Sequence, residues 1–435
     1  MKKTFFWSAY GLLLLAFTIG GLELAAWFLT PAWPAYDLRP AVASSAAVRQ
    51  IKTLADAPES IPYYNSWGLK DRERSIARPA GIQFRSVFVG DSFLEGVFGL
   101  TPLSELVERN WAEHGIKGSE AVNLGISATG PPQYYYRIKS IALDLQPDAI
   151  LMMFFSGNDF VPDRLSSWSI PPLVAERPEP SLLGAVAPHL DWLIVNRLRL
   201  SEFGRGNKPI PDEFDTLNAV VKQPLAERTG LLVDHYKKYY YPDISNEALR
   251  EVLGRGGAAF WVPFERTDDQ HEFLAGWLLA NVIGQEIIPT NWPMPRDMAE
   301  AEHMVDPAEI DATVSWLVGA DKLAAARGVK FLLAVAPMAS VDPNYAAYWK
   351  PWPRFYSQNL HREASRHALL AELAKRGLHP IDLAEELQGV RGSYRLSDSH
   401  WSELGTEIVA KRIAAELLKA RASGPRTMAK KSPPG

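Results

Sequence analysis

Hydrophobic positions along the chain fall into three regimes. In the first, residues 5–30 are apolar almost without interruption (FFWSAYGLLLLAFTIGGLELAAWFLT), behind Lys2 and Lys3. At roughly 1.5 Å of rise per helical residue, such a stretch crosses a hydrocarbon core of about 30 Å. Trp7 and Tyr10 lie toward one end and Trp27 toward the other, as interfacial anchors do. Glu23 is the one acid in the run, fitted to the far interface or to a partner helix. The run exceeds the roughly 7–15 apolar residues of a cleavable signal peptide. The expectation is a retained N-terminal transmembrane helix over residues 1–30, its N-terminus cytoplasmic and the rest of the chain extracytoplasmic, in a periplasm-like space.

Residues 31–60, rich in Pro, Ala and Ser, read as a tether. From Arg85 a second regime begins, in which short β-branched or apolar runs alternate with longer amphipathic ones. Strands are predicted at 86–90, 121–124 and 149–155, with helices at 102–114 and 131–145 between them. The alternation resumes at Pro307. It gives helix 307–327, strand 329–336, a Trp/Tyr-rich loop at 345–356, helix 362–375, a short strand at 379–382 and a last helix at 402–420. About five parallel strands with intervening helices make a three-layer α/β/α sandwich. Its halves are residues 61–160 and 307–421, and residues 422–435 form a flexible tail. The third regime lies between them, at 161–306, where Pro-rich loops and helical pieces (182–200, 245–254, 272–287) replace the alternation. That length suits an inserted helical cap, or a peripheral subdomain with no functional part.

Composition narrows the chemistry. With 47% hydrophobic and 22% charged residues, the 435-residue chain is of ordinary globular make-up. A net charge of -4 without a basic stripe gives no electrostatic case for nucleic acid. The absence of cysteine excludes disulfides, thiolate catalysis and cysteine-ligated metal. The histidines outside Asp398-Ser399-His400 show no metal-ligand spacing, so neither metal nor other cofactor is expected.

Val87-Phe88-Val89 runs into Gly90-Asp91-Ser92. A buried strand ending in that tripeptide holds a hydroxyl at the carboxyl edge of a parallel sheet, where open α/β sheets bind ligands. Some 300 residues later, Asp398-Ser399-His400 stands at the start of the last helix. There Asp398 can fix the tautomer of His400, and His400 can accept a proton from a serine hydroxyl. Gly125 after Ala121–Leu124, and Asn158 in Phe155-Ser156-Gly157-Asn158-Asp159, fall at further strand ends. The N–H groups of Ser92 and Gly125 and the amide of Asn158 would supply three donors to an oxyanion. Read singly, these are turn residues and a helix cap.

In order, Gly90-Asp91-Ser92, Asn123-Leu124-Gly125, Gly157-Asn158-Asp159 and Asp398-Ser399-His400 resemble the blocks of the SGNH (GDSL-type) hydrolase superfamily. The resemblance covers about residues 62–160 and 307–420. It implies a flavodoxin-like sandwich and serine ester chemistry, with Ser92 as nucleophile, His400 and Asp398 as base and orienter, and Ser92, Gly125 and Asn158 around the oxyanion. Asp91 and Asp159 would support their turns. Two departures stand out: Ser156 occupies a place that is glycine in the common third block, and Asp398 is two, not three, residues before His400. The shorter spacing followed by Trp401 is similar to the branch containing the alginate O-acetyltransferase proteins and related membrane-anchored exported proteins. Asp382, at the end of the last strand, is the alternative orienter.

These readings lead to a membrane-anchored serine esterase acting on acyl, foremost acetyl, esters, with an acylated carbohydrate or other ester as substrate. An O-acetyltransferase of extracytoplasmic polysaccharide would use the same residues, its acyl group supplied by a membrane partner. A non-catalytic binding component of an envelope polysaccharide complex is the third alternative.

Overall fold

The computed structural model describes residues 2–29, 65, 69–96, 101–127, 129–161, 186–187, 189–190, 194, 219–265, 276–287, 293–396 and 399–424. The tether at 31–60, most of the helical piece at 182–200 and nearly all of the 422–435 tail lie outside them.

Five strands form one parallel sheet: β1 (Phe84–Gly90), β2 (Ser119–Gly125), β3 (Ala149–Phe155), β4 (Lys330–Ala336) and β5 (Ile381–Asp382). Their spatial order is β2-β1-β3-β4-β5. The chain moves outward one way from β1 to β2 and the other way from β3 onward. The crevice at the carboxyl ends of β1 and β3 is therefore the topological switch point, where sheets of this order hold ligands.

Alternate strand residues serve two cores, as the two-residue period of a strand requires. Phe84, Phe88, Leu151 and Met153 join a core built with α3 (Leu103–Glu113) and the final helix, α14 (Glu403–Ala422). Val87, Val89, Ile150 and Met152 face α4 (Pro131–Ser140), α10 (Pro307–Ala325) and α12 (Pro353–Lys375). The sheet is thus covered by helices on both sides. β1 and β3 are buried throughout their length, which explains why they read as continuous apolar runs.

Several boundaries differ from the sequence expectation. Helix α4 stops at Ser140 because Ile141 leaves helical angles (φ -133, ψ -59), and a 3-10 turn follows at Ala142–Leu145. The aromatic loop expected at 345–356 is instead helical, in α11 (Pro343–Trp349) and the first turn of α12. Asp342 caps α11 by accepting from the Asn344 N–H, and Pro343 and Pro353 sit where proline favours helix starts. Tyr345, Trp349, Trp352 and Phe355 are buried on the inner side of this pair.

Between β3 and α10 lie α5 (Leu225–Tyr239), α6 (Asn246–Gly254), α7 (Gly257–Glu265), α8 (Gly276–Ile287) and α9 (Met298–His303). The short helix α2 (Ser92–Glu95) follows β1, and α13 (Ala384–Leu387) follows β5. Phe260, Trp261 and Val282 share one apolar core with Trp349, Trp352 and the sheet. Polar ties reinforce the contact: Trp352 Nε1 donates to the Val252 carbonyl at 3.0 Å, and Tyr348 Oη donates to that of Phe260 at 2.8 Å. This region packs down onto the α/β core through the aromatic helices.

The transmembrane span expected at the N-terminus is not found: among the described residues no helix is long and apolar enough to cross a membrane. A helix does form there, α1 (Lys2–Leu29), and it includes Glu23. That carboxylate accepts the N–H groups of His189 and Leu190 at 3.0 and 2.8 Å. Around the helix, Trp7, Leu13, Leu14, Phe17, Trp27 and Phe28 are exposed, Phe17 by 76%.

Candidate active site

At the end of β1 the chain turns through Gly90 and Asp91 into α2. The Asp91 side chain accepts the Phe93 N–H at 3.0 Å and so caps the helix. Ser92 is the first helical residue, and its N–H has no acceptor within the helix. Its half-buried hydroxyl meets His400: Ser92 Oγ and His400 Nε2 are 2.8 Å apart.

The loop bearing His400 is closed at its base. Tyr394 and Trp401 form an isolated antiparallel bridge, Arg395 N donates to the His400 carbonyl at 2.8 Å, and Ser402 N donates to that of Ser393 at 2.9 Å. Ser402 caps α14 by accepting from the Gly405 N–H. Any side chain at Gly405 would strike the Ser393 carbonyl, because a Cβ there would lie 2.0 Å from that oxygen. Ser399 is held in the left-handed region at φ 67 and its hydroxyl is hydrogen-bonded to Tyr345. Trp349 Nε1 donates to the Leu396 carbonyl at 2.9 Å. The Phe93 ring lies 4.8 Å from the imidazole and 4.7 Å from Trp401. The residue after the serine therefore also supports the histidine. A small cleft here is lined by Ser92, Phe93, Gly96, Thr101, His400, Trp401 and Thr406.

Asp398 lies outside the described residues. Asp382 is engaged elsewhere, pairing with Arg366 at 2.6 Å and accepting the Ala384 N–H at 3.0 Å. Gly125 ends β2 against the α2 backbone; a Cβ there would lie 2.5 Å from Glu95 N. Its N–H donates to Asn123 Oδ1 at 2.8 Å, so use as an oxyanion donor requires that bond to give way. Asn158 is exposed at the mouth of the turn after β3. Asp159 closes that turn, accepting from Phe155 N at 2.8 Å and lying 3.0 Å from Tyr134 Oη. Ser156 is buried, and its hydroxyl donates to the Ala336 carbonyl at 2.6 Å. Ser156 thus ties the end of β3 to that of β4.

Two buried carboxylates underlie the site. Burial pushes Asp91 up to about 6, opposed by the Phe93 N–H, by the neighbouring His400 and by Asn158. Burial, and next the charge of Asp91, hold Asp159 well above the usual carboxylate range. Neighbouring side chains that the motifs did not single out complete the floor. Glu95 accepts the Ser127 N–H at 2.6 Å, and buried Lys70 donates to the Gly96 carbonyl. Desolvation lowers Lys70 to about 8, with Glu95 offsetting part of the effect. Among the described residues, no group of three or more histidines and carboxylates could hold a metal ion.

The arrangement can deprotonate a hydroxyl at the switch point and return that proton to a leaving group. Residues 296–433 match the family model described as SGNH hydrolase-like domain, acetyltransferase AlgX. The matched segment contains β4, β5, α14 and His400, and over those residues it agrees with the resemblance drawn from the motifs; the blocks around Ser92, Gly125 and Asn158 lie outside it. No curated protein matches the chain.

Proposed function

With an SGNH hydrolase-like domain of the acetyltransferase type in residues 296–433 as the premise, we propose that the protein is a serine esterase acting through an acyl-Ser92 intermediate. One observation carries the proposal: the 2.8 Å contact between Ser92 Oγ and His400 Nε2 across 308 residues of chain. In the first half-reaction Ser92 Oγ attacks the acyl carbonyl carbon while His400 Nε2 takes its proton. The carbonyl oxygen becomes an oxyanion, met by the Ser92 N–H and the Asn158 amide, with the Gly125 N–H joining once the Asn123 side chain moves off it. The tetrahedral adduct collapses, the C–O bond to the alcohol breaks, and the departing oxygen takes the proton from His400. Asp398 holds the imidazole during the charge change. In the second half-reaction water or a sugar hydroxyl attacks the acyl carbon and gives its proton to His400; the bond from that carbon to Ser92 Oγ then breaks, and Ser92 takes the proton from His400.

Water as acceptor makes the protein an esterase of acetylated carbohydrate. Transfer to a polysaccharide hydroxyl is the second reading, favoured by the acetyltransferase description of the matched model; a membrane partner would then present the acyl donor. A non-catalytic binding role has no need of a serine hydroxyl hydrogen-bonded to an imidazole. The exposed apolar surface of α1 behind Lys2 and Lys3 supports attachment of that helix to a membrane, with the α/β domain on the extracytoplasmic side.

The test incubates full-length protein and its Ser92→Ala variant with an acetylated and a deacetylated surface polysaccharide, with and without an acetyl donor. Mass spectrometry then follows acetyl groups on the glycan. Loss of acetyl in water supports hydrolysis, and donor-dependent gain supports transfer, each only with Ser92 present. Wild type and Ser92→Ala giving the same glycan in every arm would overturn the serine mechanism for these glycans.

A further inference from the structure

We propose that Arg137 is a positioning residue for this reaction, its buried guanidinium aiming both the nucleophile turn and the Gly125 peptide. The role rests on the serine reading above. Arg137 Nη1 donates to the Gly90 carbonyl at 2.9 Å and to the Leu124 carbonyl at 3.0 Å, and Nη2 donates to Thr129 Oγ1 at 3.2 Å. The Gly90 carbonyl ends β1, and the Leu124 carbonyl is the last but one of β2. Because a peptide unit is planar, fixing the Leu124 oxygen also fixes the direction of the Gly125 N–H. Holding the Gly90 oxygen does the same for the Gly90–Asp91 peptide, one residue before Ser92. One turn earlier on the same helical face, Tyr134 Oη contacts Asp159 in the turn after β3. A single face of α4 thereby clamps three strand ends that carry the site.

Arginine suits this place and lysine does not. A side chain 2% exposed brings a full charge into the core, a costly choice for packing alone. Its planar fork can hold two carbonyls and a hydroxyl in fixed directions, whereas an ammonium is a single point of charge.

The test uses full-length protein with p-nitrophenyl acetate as probe. Arg137→Lys is expected to lose about 10²-fold in kcat, as small misplacements of reacting groups do. KM stays within about twofold and the pH midpoint is unchanged, since the proton-transfer groups remain. Thr129→Val, which keeps the guanidinium and removes one acceptor, loses kcat in the same direction by less, and it decides the matter should Arg137→Lys fail to fold. A crystal structure of Arg137→Lys, or of Thr129→Val in that event, reads the geometry without activity: rotated Leu124–Gly125 and Gly90–Asp91 peptides and a lengthened Ser92–His400 contact are expected. Wild-type kcat in a folded variant, or unmoved peptides with the contact still at 2.8 Å, would overturn the role. If the wild-type protein itself fails to turn over the ester, the serine reading falls for that probe while the crystallographic arm still judges the clamp.

Discussion

Asp91 carries two duties that pull against each other. Its carboxylate caps α2 at the nucleophile, yet it is fully buried, and burial raises it from 3.8 to about 6. Between those values the folded protein binds more protons than the unfolded chain. Folding stability therefore falls as pH rises through that window. Asp91→Asn keeps an oxygen to accept the Phe93 N–H and carries no charge; it also relieves the charge that raises Asp159. Urea midpoints at about pH 4 and about pH 7 are expected to show a smaller decline in the variant than in the wild type. An equal decline in both would mean that Asp91 does not titrate where its burial puts it. Single residues were legible in the sequence wherever chemistry and turn propensity coincided, as at Ser92 and His400, which meet in the fold. Arg137 and Tyr134 were not, because an arginine and a tyrosine on a helix declare no role until their distant acceptors are in view. Ser156 looked like a departure, and its partner on β4 explains it only in three dimensions.

Elements were legible to the extent that their hydrophobic period was clean. β3 runs over the residues its unbroken apolar run predicts. The aromatic stretch at 345–356 misled, since Trp and Tyr suggested loop packing while Asp342, Pro343 and Pro353 were setting helix starts. Helix α1 is the element whose composition and surroundings are most at odds. It exposes Trp7 by 66% and Phe28 by 73%, surface that a soluble helix would bury. Attachment of α1 to a membrane predicts that full-length protein sediments with membranes and needs detergent for release. Removal of residues 1–30 is expected to leave a domain in the supernatant with unaltered p-nitrophenyl acetate turnover. Full-length protein that stays in the supernatant without detergent would contradict the attachment.

At the scale of the molecule, the site is a product of topology. The strand order puts β1 beside β3 at the switch point, so the turns carrying Ser92 and Asn158 flank one crevice. The closed loop before α14 then delivers His400 to the same rim from the far end of the chain. The alternation of elements foretold this sheet, and the order of the four blocks foretold the rim. How the 161–306 region joins the main core was hidden, since Phe260 meets Tyr348 and Trp352 only in the folded chain. The central claim is that Ser92 accepts an acyl group with His400 as its base. Intact-protein mass spectrometry after rapid mixing with p-nitrophenyl acetate and acid quenching tests it most directly. The account predicts an acetyl-sized increment that maps to the peptide containing Ser92, absent in Ser92→Ala and formed about 10²–10⁴-fold more slowly in His400→Ala. An increment on another residue, or one that forms as fast without His400, would contradict it.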